Sequence, residues 1–181
     1  VTTTWTEPPR DWTAGEFVTE SIADTHIRDQ LKATWHLISR KTADESLTSN
    51  TTFQDDNDLL VTVAANEIWR CHWDFVVDAA AAGDMKIQWT FPSGTLHHSS
   101  LQYLNASDAS VSAFSLSTAS PSGSTTLAGI SAGSPRLWQF ETLFLNGGSA
   151  GTLTLQWAQN TSSGTATIMK AHSAVYGMKL A

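Results

Sequence analysis

One cysteine, Cys71, leaves the chain without an internal disulfide and without a paired-cysteine metal site. Charged residues make up only 15% of the sequence, and lysine and arginine never form a run. With a net charge of −7, this argues against nucleic acid and anionic membranes as direct partners. No apolar stretch approaches membrane-spanning length, and residues 1–20 carry no signal-peptide core. Val1 without a methionine is consistent with removal of an initiator residue, so a role outside the cell would require lysis or another machinery.

Signatures of chemistry are missing as well. There is no G-x-S-x-G elbow and no phosphate-binding glycine loop. No His-x-His or His-x-x-x-His pair stands beside an acid. Of the six histidines, His26 and His36 fall in a predicted helix and His72 on a predicted strand. His97 and His98 are adjacent, so on a strand they point to opposite faces, and His172 lies near the end. They read as polar surface or hydrogen-bonded packing residues. Asp55-Asp56-Asn57-Asp58 offers oxygens for calcium but lacks the EF-hand spacing and its glycine, and reads first as a solvated turn. Paired carboxylates for glycoside cleavage meet only in three dimensions, and nothing here favours them. The expectation is no cofactor, no metal and no catalysis.

What is present points to β structure. Hydrophobic residues are 41% of the chain, and serine and threonine supply much of the polar surface. The 181 residues suit one domain with an appendage. Eight tryptophans are many for this size, and Trp is enriched at interfaces, so assembly into an oligomer is in view.

The appendage is N-terminal. Residues 1–20 are Thr-rich, contain Pro8-Pro9 and repeat Trp-Thr at Trp5 and Trp12. Consecutive prolines hold the backbone extended. Such an arm either docks its two indoles in pockets on a neighbour or packs them on its own domain. A helix is predicted over residues 21–41, capped at Ser21 or Asp24 and closed by Arg40-Lys41. Ile27, Leu31, Thr34, Trp35 and Ile38 make its apolar stripe. A helix of about four turns is marginal alone, so it packs on the β domain or on its own copies around a symmetry axis. Trp5, Trp12, Ile27, Leu31 and Trp35 are the candidate assembly residues.

Two stretches carry a resemblance. Trp12-Thr13-Ala14-Gly15-Glu16-Phe17-Val18-Thr19, followed by Asp24-Thr25-His26-Ile27-Arg28-Asp29-Gln30-Leu31, resembles the opening of a group of tailed-bacteriophage virion proteins. Those begin with W-x-x-G-E-x-V-T and then N-x-H-[hydrophobic]-R-D-N-L; Asp24 and Gln30 depart from the usual Asn at both places. Trp157-Ala158-Gln159-Asn160-Thr161-Ser162 is similar to the group's C-terminal W-A-Q-N-x-S. The likeness covers both ends and little of the middle, and it implies a component of a phage particle without saying which one.

After a polar linker at residues 42–50, strands recur at short intervals. Thr51–Phe53 and Leu59–Val63 flank the acidic turn. In residues 67–77, Trp69, Cys71, Trp73, Phe75 and Val77 face one way, while Arg70, His72 and Asp74 lie on a half-polar opposite face, as at a solvent or subunit surface. Met85, Ile87, Trp89 and Phe91 are predicted to complete a central hairpin with that strand. Leu96–Asn105 and Ala109–Leu116 are weaker strands, and Ser117–Pro135 is a Ser/Gly/Pro-rich loop. Arg136–Asn146 has apolar residues on both faces, so it should be central or lie at a subunit contact, and Asn146-Gly147-Gly148 reads as a hairpin turn. Thr152–Gln159 and Thr165–Lys170 form a closing pair, and Ala174–Leu180 ties the end of the chain into a sheet.

The expected architecture is mainly β: a jelly-roll-like antiparallel sandwich of about eight strands over residues 51–181, preceded by the extended arm and one α-helix. An immunoglobulin-like sandwich is the lesser choice, because its Cys…Trp…Cys framework is missing. The expected function is a non-enzymatic structural protein of a tailed phage particle, a capsid decoration or head spike, made in the host cytoplasm and found on the virion. Its partners would be other virion proteins, through the arm, and itself as a homotrimer. The alternative is a tail-associated receptor-binding module that grips host surface glycan through the Ser117–Pro135 loop. A third reading is an envelope-degrading hydrolase.

Overall fold

The strongest alternation in the sequence becomes β4 (Ile68–Asp78), with Cys71, Trp73, Phe75 and Val77 all buried. It belongs to a computed structural model that describes residues 36–101, 113–127 and 132–181, together with Gly15, Phe17 and Thr19. The other strands are β1 (His36–Arg40), β2 (Glu45–Leu47), β3 (Gln54–Val63), β5 (Met85–Thr90), β6 (Thr95–Leu101) and β7 (Ala113–Ser117). The chain then forms β8 (Thr125–Leu127), β9 (Arg136–Leu145), β10 (Gly151–Ala158), β11 (Thr167–Met169) and β12 (Ala174–Lys179). Among the described residues there is no helix.

The strands pair by one rule. β1 pairs with β12, β2 with β11, β3 with β10, β4 with β9, β5 with β8 and β6 with β7, every pair antiparallel. The backbone is therefore one long two-stranded ribbon, folded back and forth between two layers. The larger sheet runs β1-β12-β4-β9-β6-β7, with β11 and β2 beside it, and the smaller runs β3-β10-β5-β8. Turns of the ribbon are joined where β4 meets β12, β6 meets β9 and β5 meets β10.

One core lies between the layers. The large sheet contributes Trp73, Phe75, Phe140, Phe144 and Val175, and the small sheet Leu59, Val61, Ile87, Trp89, Leu155 and Trp157. Each such burial stabilises by roughly 1.5–3 kcal/mol. Trp89 of the small sheet meets Trp73 and Phe140 of the large one edge-on, at ring separations of 5.9 and 5.6 Å. Trp73 Nε1 donates to Thr142 Oγ1 at 3.0 Å, and Trp157 Nε1 to Asp56 Oδ2 at 3.1 Å. Trp89 Nε1 and both ring nitrogens of the buried His98 have no hydrogen-bond partner.

The β class, the antiparallel pairing and the inner faces of the strands agree with the sequence reading, while several connections differ. His36–Arg40, the last turn of the predicted helix, is a strand. Ile38 packs against the core, and pairing with β12 overrides local helix propensity. Residues 21–35 and the five candidate assembly residues, Trp5, Trp12, Ile27, Leu31 and Trp35, lie outside the described residues. The linker at 42–50 contains β2, so among the described residues strands occur already from His36, ahead of residue 51. The acidic stretch 55–58 is part of β3, which bulges there: between the pairs Thr154–Leu60 and Gln156–Asp55, one residue of β10 stands against four of β3.

The predicted hairpins dissolve into sheet-to-sheet crossings. β4 and β5 stand in different sheets, as do β9 and β10, and β10 and β11. Alternation fixes the face a strand turns inward, and two strands facing one core from opposite layers have the same pattern. The Ser117–Pro135 segment includes β8, and Ser122 Oγ accepts from the Trp89 backbone N–H at 2.9 Å, which pins this stretch along β5. Ala174–Lys179 does end the chain inside a sheet, between β1 and β4.

Candidate interaction face

Two faces of the sandwich are turned outward, and they differ in chemistry. On the small sheet the outward side chains are mainly polar, with Leu60 half-buried among them: Gln88 Nε2 donates to Gln156 Oε1 at 2.6 Å, Gln156 Nε2 donates to Asp55 Oδ1 at 2.8 Å, and Thr62 and Thr152 are exposed. The large sheet carries Leu37, Leu116, Leu137, Leu143, Tyr176 and Leu180, all the exposed large hydrophobic residues among those described except Phe17. Register places them on one side. Leu37 lies opposite Tyr176, Tyr176 opposite His72, Leu143 opposite both Arg70 and His97, and His97 opposite Leu116.

The middle of this face is polar. It is built from alternate residues of the two central strands: Arg70, His72 and Asp74 on β4, and Gln139 and Glu141 on β9. Directly opposed residues in neighbouring strands are close enough to interact. His72 faces Glu141, and Asp74 faces Gln139. Arg70 Nη2 donates to Glu141 Oε2 at 2.6 Å; Gln139 Nε2 donates to Asp74 Oδ1 at 3.0 Å. His72 Nε2 also lies 3.0 Å from Asp74 Oδ1, with Nδ1 3.9 Å from Glu141 Oε1. The side chains of Arg70 and Glu141 are 50% and 46% exposed. A pair so exposed contributes about 0–1 kcal/mol to folding, so stability alone does not account for it.

Two shallow depressions adjoin over this set. One of about 400 Å³ is lined by Arg70, His72, Glu141 and Tyr176. The second, about 440 Å³, shares Arg70 and Glu141 and extends past His97 and Ser99 to Leu143 and Leu180. His97 and His98 do point to opposite faces, since His98 is 2% exposed. Burial holds the His98 pKa below that of an ordinary imidazole.

The acidic stretch has another role. Asp56 is buried, and its Oδ1 accepts the backbone N–H of Asp58 and of Leu59 at 3.0 and 2.9 Å. The Lys41 ammonium lies against the same carboxylate and donates to Glu45 Oε2 at 2.7 Å. Burial pulls the Lys41 pKa down, and the hydrogen bonds and charges of Glu45 and Asp56 outweigh it, leaving the pKa above the usual lysine value. Thus the cation beside Asp56 is the chain's own. No group of three or more His, Cys, Asp or Glu among the described residues is arranged to hold a metal ion. At the far end of β4, Glu67 accepts from Trp69 Nε1 at 2.9 Å and from the Ala64 N–H at 2.8 Å, and pairs with Lys179 at 2.9 Å.

Sequence reasoning had marked Arg70, His72 and Asp74 as a half-polar face, but their joining with Gln139 and Glu141 rests on the β4–β9 register. Lys41 carried no signal of its ion pair, because it reads as the last residue of a helix. No family model matches the chain, and no curated protein or solved structure matches it.

Proposed function

We propose that the chain is a non-enzymatic structural component of a tailed-phage particle, anchored by residues 1–35 and displaying a jelly-roll sandwich. The nested pairing supports the jelly-roll reading. Without β2·β11 and the β6·β7 extension, the two layers are β1-β12-β4-β9 and β3-β10-β5-β8, a ribbon wrapped twice between sheets. Jelly rolls recur in viral coats, although the fold by itself does not assign the function.

The observation that carries the anchoring is topological. Residues 1–35 precede β1, which is an edge strand, whereas the last strand, β12, is flanked on both sides. The segment bearing Trp5, Trp12 and the phage-like motif is thus continuous with a strand that lies at the rim among the described residues. In the particle three copies associate, and the arm reaches the neighbouring virion protein.

Deleting residues 1–20 tests this. Particles assembled with the truncated protein should lack it, while its circular dichroism stays that of the intact β domain; incorporation at the wild-type level refutes the docking arm. Native mass spectrometry should give a trimer, and monomers alone at micromolar concentration would refute that stoichiometry. A tail-associated receptor-binding module is the second reading, and the polar set at the centre of the large sheet favours it.

A further inference from the structure

The centre of the large sheet's outer face carries charge, unlike the core of an ordinary subunit contact. Protein interfaces place apolar residues at the centre and polar ones at the rim, with charge depleted in the middle. Here the two central strands carry Arg70, His72, Asp74, Gln139 and Glu141, with Leu143 the apolar neighbour of Arg70. Leu37 and Leu116 lie on the two edge strands β1 and β7, Leu137 near the start of β9, and Leu180 beyond the end of β12. A protein partner seated here would desolvate the charged centre first, which is the costly arrangement.

We propose that this centre binds an uncharged saccharide, with Tyr176 as the apolar platform and Arg70, His72 and Glu141 as its hydrogen-bonding edge. The chemistry selects the ligand class. Two carboxylates, Asp74 and Glu141, stand against one guanidinium, so a phosphate or carboxylate ligand is repelled. Arg70 lies 2.6 Å from Glu141 and disfavours a metal cation or an ammonium at the same oxygens. What remains is a ligand whose groups both donate and accept. Arginine only donates, carboxylates only accept, and Gln139, His72 and Tyr176 can do either, a mixture matched by vicinal hydroxyls. Tyr176, 37% exposed and in the same cross-strand row as His72, supplies the aromatic group against which the C–H surface of a pyranose would pack. The adjoining depressions, about 400 and 440 Å³, are within the size of small-ligand sites. Hydrogen bonds from Arg70 to Glu141 and from Gln139 to Asp74 hold these groups in place before any ligand arrives, which lowers the ordering cost of binding.

This site lies on the sheet and not in the Ser117–Pro135 loop. It deepens the receptor-binding reading and is independent of whether residues 1–35 anchor the chain in a particle.

The test is direct titration of the full-length protein with neutral hexose and N-acetylhexosamine oligosaccharides, followed by backbone amide NMR, with sialylated oligosaccharides and inorganic phosphate as anionic probes. Neutral saccharides should shift amides of β4, β9 and β12 and leave those of the small sheet unmoved. Tyr176→Ala and Glu141→Ala should each weaken binding at least about tenfold, the loss of roughly one good contact. Thr62→Ala, on the outer face of the small sheet, should bind like the wild type. Absence of any neutral-saccharide response at millimolar concentration overturns the proposal. So does binding of the anionic probes alone, shifts confined to the small sheet, or unchanged affinity in both variants with native circular dichroism. A truncated protein that fails to enter particles yet still binds saccharide would leave this site intact, and an untruncated protein that enters particles without binding saccharide would remove the site while sparing the anchor.

Discussion

The Lys41 ammonium lies 3.0 and 2.9 Å from the two carboxylate oxygens of Asp56, with 1% and 0% of the two side chains exposed. This pair joins the end of β1 to the bulge in β3, with Glu45 of β2 as a second partner for the ammonium. Removing one member of a buried pair leaves the other uncompensated, at a cost of roughly 3–5 kcal/mol. Lys41→Met should lower stability by that amount in chemical denaturation. Because the folded Lys41 pKa is raised, its contribution is complete below the unfolded value of 10.5 and is lost as pH rises through the folded one. The wild type should therefore weaken above about pH 10.5 more steeply than Lys41→Met.

His98 gives the opposite dependence. Its ring lies 5.0 Å from that of Trp89, both ring nitrogens lack partners, and burial holds its pKa below 6.5. The unfolded chain then binds a proton at His98 before the folded one does. Stability is complete above pH 6.5 and declines as pH falls towards the folded pKa. His98→Phe keeps a ring against Trp89 and removes two unsatisfied nitrogens, which cost roughly 1–3 kcal/mol each when buried. The variant should be at least as stable as the wild type at neutral pH, with a flatter stability profile just below pH 6.5. A thermal melt series across that range reads both effects.

Cys71 is fully buried, and burial pushes its thiol up to about 12. The thiolate is the reactive form. Native protein should not react with a thiol reagent at pH 8, and one equivalent should react once the chain is unfolded in denaturant. Fast reaction under native conditions would mean that the β4–β9 layer opens far more readily than its burial implies.

Gly177 sets the fit of the edge strand. A Cβ there would lie 2.4 Å from Ile38 Cδ1 and 3.4 Å from Cys71 Sγ. Ile38 can move its terminal carbon, so Gly177→Ala should be tolerated better than Gly177→Val. Overpacking by the latter should cost about 1–3 kcal/mol. Hydrogen exchange should quicken first at the β1 amides, and Ile38→Val should partly restore Gly177→Ala.

Much of the fold was legible one strand at a time. Cys71, Trp73, Phe75 and Val77 announced the buried side of β4, and Trp138, Phe140 and Phe144 that of β9. The half-polar side with Arg70, His72 and Asp74 was visible too. His36–Arg40 was misread because its local pattern continued a helical stripe, and only pairing with β12 makes it a strand. The Asp55–Asp58 stretch looked like a turn because its charges suit water. Lys41 supplies the countercharge that lets Asp56 be buried, from fifteen residues away.

Alternation in the sequence was enough to show that the described residues are mainly β and which side of each long strand is dry, because a period of two is set within a strand by backbone geometry. Tertiary structure alone decided which sheet each strand joins, and that β4 and β9 bring Arg70, His72, Asp74, Gln139 and Glu141 together. Pairing depends on segments far apart in the chain meeting in register, and no local pattern encodes that.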